Sequence, residues 1–287
     1  MVKDQSQPVR GPGLCLFCLE GGQLSKSVEH IVSEALGNLT LILPAGVVCD
    51  RCNHGTLSRL DEQLLSFPPV QMMRIMRQLP SKPGKPPAGR FSNGKILSHE
   101  GNQIVVDSNS VRFMHGSGPN TNRISAQMAN LDGRHAEAVS RSLLKSALEC
   151  AYLDLGYDVV ISAEWDDVRS AIVDGGYQGY VALPLQAAPG TDPLQLQYRP
   201  GVPERNGFRL FVQLNVYGIR LITVFGHSLP TGHLTNAAQE KVAQVLAFPH
   251  EGRYGGDLSI DVEFTYGSVK TLAADDPRLP DFLRSTS

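Results

Sequence analysis

Two identical Cys-x-x-Cys pairs constrain this chain more than any other feature. They are Cys15-Leu-Phe-Cys18 and Cys49-Asp-Arg-Cys52, and the fifth cysteine, Cys150, stands alone. Each pair can chelate a metal from one tight turn, and together they supply the four thiolates that close a tetrahedron around Zn²⁺. A redox site needs only one such pair. The spacing therefore predicts a structural zinc site, and Cys150 is interpreted as a small core residue.

The ends and composition of the chain favour reduced thiols over disulfides. The first residues, MVKDQSQPVRGPG, lack the basic-then-apolar layout of a signal peptide, and no apolar run approaches the ~18 residues of a membrane span. We therefore expect a soluble, cytoplasmic protein with no membrane partner, in a compartment where disulfides are rare. Its 287 residues, 41% of them hydrophobic, suffice for one or two domains.

A proline- and glycine-rich basic segment at residues 80–90 predicts a linker between an N-terminal domain, 1–79, and a larger domain, 91–287. The net charge of −2 argues against a general nucleic-acid coat. It hides an asymmetry, because residues 1–90 carry ten Lys and Arg against seven Asp and Glu, whereas residues 91–287 carry sixteen against twenty-one. The basic stretch between Glu62 and Glu100 could follow a phosphate backbone or be a solvated linker.

The segment between the cysteine pairs carries further polar residues on predicted elements. Val28–Val32 is a predicted strand, so Glu29 and His30 point to opposite faces and can have different roles. After the second pair, the periodicity predicts a helix over Thr56–Phe67. Its apolar face comprises Leu57, Leu60, Leu64 and Phe67.

The rest of the chain mixes helix and strand patterns. The pattern predicts helices over Val70–Leu79, Arg134–Leu155 and Trp165–Val173. It predicts strands over Lys95–His99, Gln103–Asp107, Val111–Met114, Tyr180–Leu185, Phe208–Tyr217, Ile219–Phe225 and Leu258–Tyr266. The strands on either side of Gly218 are predicted to form a hairpin.

The combination of these features, within residues 13–65, resembles the HNH endonuclease superfamily. The matching residues are Glu29-His30-Ile31, Leu36-Gly37, Val48-Cys49, Cys52-Asn53 and, later in the helix, Asp61. The resemblance implies an α+β protein, with an N-terminal zinc-stapled ββα-metal module followed by a larger mixed α+β domain. The role of residues 91–287 is not implied by it.

The resemblance also implies roles for individual residues. His30 matches the general base that takes a proton from the attacking water. Glu29 and Asn53 match ligands of a catalytic divalent ion, and their oxygen donors favour Mg²⁺ or Mn²⁺. Many members have a further ligand where this chain has Leu57, so Asp61 is the candidate that completes the set.

The middle asparagine of the family, which orients the base, has Asn38 as its nearest candidate in this chain. Gly37-Asn38 is equally consistent with a plain turn. The neighbouring His54 is interpreted as a surface residue at the start of the helix.

Two classes of function follow. The first is a metal-dependent endonuclease that hydrolyses phosphodiester bonds in DNA, with RNA left open; such modules commonly serve bacterial restriction or anti-phage defence. Residues 91–287 would then select the target, form a homo-oligomer or bind an activating partner. The alternative is a non-catalytic zinc module that binds nucleic acid or a protein partner, which Leu57 and the acidic C-terminal part favour. The sequence leaves sequence preference and nicking versus double-strand cutting open.

Overall fold

The computed structural model describes residues 13–21, 24–77, 79, 87–91, 94–99, 103–106, 111–115, 121–128, 133–175, 181–184, 194–201, 209–216, 219–226, 245–247 and 258–265. The strands in these ranges are β1 (Glu29–His30), β2 (Ile42–Leu43), β3 (Ala88–Phe91), β4 (Gly94–His99), β5 (Gln103–Val106), β6 (Val111–His115), β7 (Thr121–Met128), β8 (Val181–Pro184), β9 (Leu194–Pro200), β10 (Leu210–Val216), β11 (Ile219–Phe225), β12 (Val245–Ala247) and β13 (Leu258–Thr265). The α-helices are α1 (Ser58–Ser66), α2 (Pro68–Met76), α3 (Gly133–Leu155), α4 (Tyr157–Val160) and α5 (Asp166–Val173). Short 3₁₀ turns occur at Glu34–Leu36 and Ala163–Trp165, and Cys52–Leu57 is π-helical.

Strands β1 and β2 form a short antiparallel hairpin in which His30 lies opposite Ile42. The strand predicted over Val28–Val32 is shorter than expected. Val28 is exposed, whereas Ile31 and Val32 are buried beyond the end of the strand. The amide of Ile31 still bonds across the hairpin to the carbonyl of Leu41, and a 3₁₀ turn begins at Glu34.

The helix after the second cysteine pair begins earlier than the predicted Thr56, with the π-helical turn and then α1. Its predicted apolar face is confirmed, since Leu57, Leu60, Leu64 and Phe67 are each at most 2% exposed. The next helix, expected over Val70–Leu79, begins at Pro68. Proline is favoured in a first helical turn, where its missing N–H has no partner to lose.

Helix α3 is the central element of its part of the chain, and it contacts α1, α4, α5 and the strands β8 to β11. Those strands belong to a five-stranded antiparallel sheet in the order β12-β8-β11-β10-β9. Strand β10 alternates buried and half-buried residues, as expected for a sheet covered on one face. The hairpin predicted between β10 and β11 is confirmed by their continuous antiparallel pairing.

Two three-stranded antiparallel sheets form a separate group, in the orders β13-β7-β6 and β3-β4-β5. The end of the predicted linker, residues 88–90, lies in β3, whereas residues 80–86 are outside the described ranges. The strands predicted over 95–99, 103–107 and 111–114 are confirmed to within one residue at each end.

The chain forms two compact units, and each is discontinuous in sequence. One comprises Met1–Arg74 with Asn130–Gly255, and the other Ile75–Ala129 with Gly256–Ser287. This division differs from the predicted domains 1–79 and 91–287, because α3 packs directly on α1. The mixed helix-and-strand composition agrees with the predicted class. In the described ranges, no helix combines the length and apolar composition needed to cross a membrane.

Candidate functional site

The four cysteines of the two pairs come together as a candidate metal centre. Their sulfur atoms all lie within 4.8 Å of one another, and the Cys18 and Cys49 sulfurs are 3.7 Å apart. Backbone amides point at the cluster, from Cys49 to the sulfur of Cys15 at 3.3 Å and from Cys52 to that of Cys49 at 3.4 Å. Four sulfur donors in a closed, largely buried cluster fit a structural zinc ion.

The pKa values of these thiols are shifted because the four sulfur atoms lie close together and are partly buried. The pKa of Cys15 is lowered to about 4, chiefly because the Cys52 thiol donates a hydrogen bond to its sulfur. The same hydrogen bond and burial raise the pKa of Cys52, and burial raises the pKa of Cys49. Several adjacent thiolates therefore need a cation to coexist, and Zn²⁺ would supply that charge.

His30, the predicted general base, is half-buried on β1. Its side chain is 24% exposed, and its Nε2 lies 3.9 Å from Oε2 of Glu34, four residues further along the chain. Its Nδ1 is buried and has no hydrogen-bond partner within the described part of the chain. Nε2 is therefore the ring nitrogen that can exchange a proton with solvent.

Asn38 is buried and holds the loop between the two hairpin strands through its side-chain amide. Its Nδ2 donates to the carbonyl oxygens of Val32, at 2.6 Å, and Leu41, at 2.8 Å. Its Oδ1 accepts from the backbone amides of Leu41, at 2.8 Å, and Thr40, at 3.3 Å. Asn38 thus fixes the backbone that follows His30 and bonds to no ring atom of that residue.

We expect Asn38→Ala to destabilise the folded protein by about 2–4 kcal/mol, because the buried carbonyl of Val32 and the partly buried carbonyl of Leu41 lose their donors. Urea unfolding measures this difference. Asn53→Ala is the control, since the side chain of Asn53 makes one hydrogen bond in the described structure, a solvent-exposed one at 3.3 Å to Oγ of Ser27. A loss no larger than that of Asn53→Ala would contradict the role assigned to Asn38.

Glu29 and Asp61, two of the predicted ligands of the catalytic ion, converge on the ammonium group of Lys145. Nζ of Lys145 lies 2.7 Å from Oε1 of Glu29 and 3.3 Å from Oδ1 of Asp61. It also donates to the carbonyl oxygen of His30 at 2.9 Å. Lys145 is fully buried in α3, and a fourth oxygen, Oε2 of Glu149, lies 3.6 Å away.

Two serines near Lys145, Ser142 and Ser146, also bond from α3 to the backbone of α1 and of the segment that follows β1. Oγ of Ser142 donates to the carbonyl of Leu60 at 2.9 Å, and Oγ of Ser146 donates to the carbonyl of Ile31 at 2.6 Å. Ser142, Lys145 and Ser146 share one face of the helix because they are spaced three and four residues apart. This face of α3 fixes the backbone at His30 and Ile31 and that of α1 at Leu60.

The contacts of the predicted ligands do not fit the catalytic Mg²⁺ or Mn²⁺ that the HNH resemblance implies. Glu29 and Asp61 share a buried ammonium, and Asn53 bonds to Ser27 instead of joining them. Within the described ranges, the cysteine cluster is also the one group of at least three His, Cys, Asp or Glu side chains whose ligand atoms all lie within 4.8 Å of one another. We therefore derive no step through a second ion.

The sequence interpretation missed Lys145 and Glu34 as neighbours of His30. Lys145 lies 115 residues away in the chain, and the polar residues on its side of the helix are the kind that sequence analysis assigns to a solvent-exposed face. The pair of serines beside it was the available signal, since small hydroxyl residues can bond to a backbone that approaches closely. His54 is exposed and lies 3.7 Å from Asp50, which agrees with a surface role.

Comparison of the chain with protein-family models, with curated proteins and with solved structures found no match.

Proposed function

We propose that this protein is an HNH-type endonuclease in which His30 activates a water molecule for attack on a phosphodiester bond of DNA. The observation that carries the proposal is the hairpin geometry. The half-buried imidazole lies on a strand whose last carbonyl, that of His30, accepts a hydrogen bond from Lys145. The next two carbonyls, of Ile31 and Val32, accept from Ser146 and Asn38. A general base needs such fixed placement, because proton transfer requires hydrogen-bond reach to the attacking water.

Glu34 supports this role through its position beside Nε2 of His30. Oε2 of Glu34 lies 3.9 Å from this nitrogen, so a carboxylate faces the ring edge that would meet the attacking water. The buried Nδ1 leaves Nε2 as the nitrogen that meets the water. The four-cysteine centre supports the same geometry, because the helical turn that carries Asn53 begins at Cys52, the last cysteine of the cluster. Asn53 in turn bonds to Ser27, shortly before the hairpin.

We expect His30→Ala to reduce the cleavage rate by about 10²- to 10⁴-fold, the usual contribution of a positioned general base, without loss of zinc or fold. Cleavage of supercoiled plasmid, linear DNA and RNA is measured with Mg²⁺, with Mn²⁺ and with a chelator. These conditions also show whether an added cation supplies the charge that stabilises the phosphoryl transition state.

His54→Ala is the matched control for this experiment. His54 also has a carboxylate four residues away in sequence, Asp50 at 3.7 Å, but its side chain is 71% exposed and lies on the helix. The proposal predicts that His54→Ala cleaves at the wild-type rate. Equal cleavage by His30→Ala and wild-type protein would refute the assignment of the base.

A second function, nucleic-acid or protein-partner binding without cleavage, is favoured by one observation. Lys145 neutralises Glu29 and Asp61, the carboxylates that a metal-dependent nuclease of this type would use. Under this alternative, the wild-type protein retains nucleic acid in a filter-binding assay but leaves every substrate uncut. His30→Ala would then bind as well as the wild type.

A further inference from the structure

The carboxylates of Glu29 and Asp61 face the same point, and the ammonium group of Lys145 occupies that point. Glu29 lies on β1 and Asp61 on α1, whereas Lys145 comes from α3. The ammonium has three N–H donors, and three acceptors lie within 3.3 Å of it, namely these two carboxylates and the carbonyl of His30. Its hydrogen-bonding capacity is therefore filled.

We propose that Lys145 is the resident cation of the Glu29–Asp61 pair, a tethered ammonium at the place where the HNH resemblance would put a divalent ion. It acts as a positioning residue, because it contacts the backbone of His30 and orients Glu29 without reaching substrate. A divalent ion at the same point would meet a buried positive charge, so Glu29 and Asp61 do not bind Mg²⁺ or Mn²⁺ while Lys145 is present.

The electrostatics of the cluster support this assignment. Burial alone would lower the pKa of Lys145, but the carboxylates of Glu149, Asp61 and Glu29 raise it above its ordinary value. The ammonium therefore stays charged at any physiological pH. It also faces a surplus of acidic groups, because three carboxyl side chains surround one lysine and both oxygens of Glu149 lack a hydrogen-bond partner in the described structure.

Removal of the ammonium should convert this cluster into a metal site. Lys145→Met keeps the length and apolar stem of the side chain but leaves Glu29, Asp61 and Glu149 facing an uncharged group. The carboxylates of Glu29 and Asp61 and the carbonyl of His30 supply the hard oxygen ligands that Mg²⁺ and Mn²⁺ prefer, and water would complete the shell. The variant is thus expected to bind a divalent ion that the wild-type protein does not bind.

The test is Mn²⁺ binding to the full-length, zinc-loaded protein, measured by the loss of the free Mn²⁺ signal in electron paramagnetic resonance. We expect one Mn²⁺ per chain of Lys145→Met, bound at least tenfold more tightly than by wild-type protein, and loss of that ion in Lys145→Met/Glu29→Gln. Lys26→Met, which removes a lysine that is not part of the cluster, should behave as the wild type. The double variant Lys145→Met/Glu149→Gln provides the same test if Lys145→Met does not fold, because it has one fewer buried carboxyl group without a counter-ion.

Two results would overturn the inference. One is Mn²⁺ binding by the wild-type protein that Glu29→Gln abolishes, which would make Glu29 a metal ligand beside Lys145. The other is a folded Lys145→Met variant, single or combined with Glu149→Gln, that binds Mn²⁺ no better than the wild type. The inference deepens the proposed function and rests on it for the catalytic meaning of His30. Ion binding is measured without substrate, so absence of cleavage and absence of the new metal site are separate outcomes.

Discussion

Replacement of Cys49 by serine is expected to release the structural metal and to unfold the N-terminal part of the chain. Cys49 contributes one of four sulfurs that lie within 4.8 Å of one another, and its amide also bonds to the sulfur of Cys15. Structural zinc contributes about 10–16 kcal/mol to the folding of small zinc modules, more than most domains have in reserve. Zinc content by mass spectrometry and thermal unfolding measure the two effects.

Cys150→Ala is the matched control for Cys49→Ser. Cys150 lies on α3 outside the cluster, and burial raises the pKa of its thiol to about 12. We expect this variant to retain one zinc ion per chain and its cooperative unfolding. A folded, metal-free Cys49→Ser protein, or wild-type protein of unchanged stability after zinc removal, would show that the cluster is not a structural metal site.

Lys145→Met is expected to destabilise the folded protein by about 3–5 kcal/mol at pH 7 in the absence of divalent ions, the usual result of removing one partner from a buried ion pair. The carboxylates of Glu29 and Asp61 lose their counter-ion, and the carbonyl of His30 loses its donor. Because the folded-state pKa of Lys145 lies above its ordinary 10.5, its stabilising effect is complete below pH 10.5 and is lost only as the pH rises further. Urea unfolding between pH 5 and 9 measures the difference.

Glu149→Gln is the comparison variant for Lys145→Met, and its effect should have the opposite sign. Burial raises the pKa of Glu149 well above its ordinary 4.5, so the folded protein holds this proton to a higher pH than the unfolded chain does. Stability therefore falls as the pH rises above about 4.5, and the neutral glutamine removes this dependence. Glu149→Gln should be more stable than the wild type at pH 7 and equal to it at pH 4. A Lys145→Met protein as stable as the wild type would contradict the proposed role of the ammonium.

These predictions share a structural cause, which is the burial of a polar helix face. The face of α3 that carries Ser142, Lys145 and Ser146 is at most 3% exposed, and each of the three side chains bonds to the backbone of the hairpin or of α1. Polar groups can be buried in this way only when each finds a partner. The hairpin that carries His30 is thus held by a helix more than a hundred residues distant in the chain.

Local patterns in the sequence were sufficient for the elements that have a clear period. The four apolar positions from Leu57 to Phe67, the long helix α3 and the hairpin of β10 and β11 were predicted within a few residues of their observed ends. Strands β7 and β9 were missed. Their sequences, TNRISAQM and LQLQYRP, are rich in polar residues, and their place in a sheet depends on pairing with distant strands.

The candidate site shows the same distinction between residues that a local pattern predicts and contacts that depend on tertiary packing. The two Cys-x-x-Cys pairs are sufficient to predict the cysteine cluster, because one metal site uses all four sulfurs, and the sequence also predicts His30 and Asn38 as site residues. The partners of Glu29 and Asp61 are seen in the folded structure alone. The lysine between them comes from a helix whose polar face looks solvated in sequence, and its burial depends on packing that no local pattern encodes.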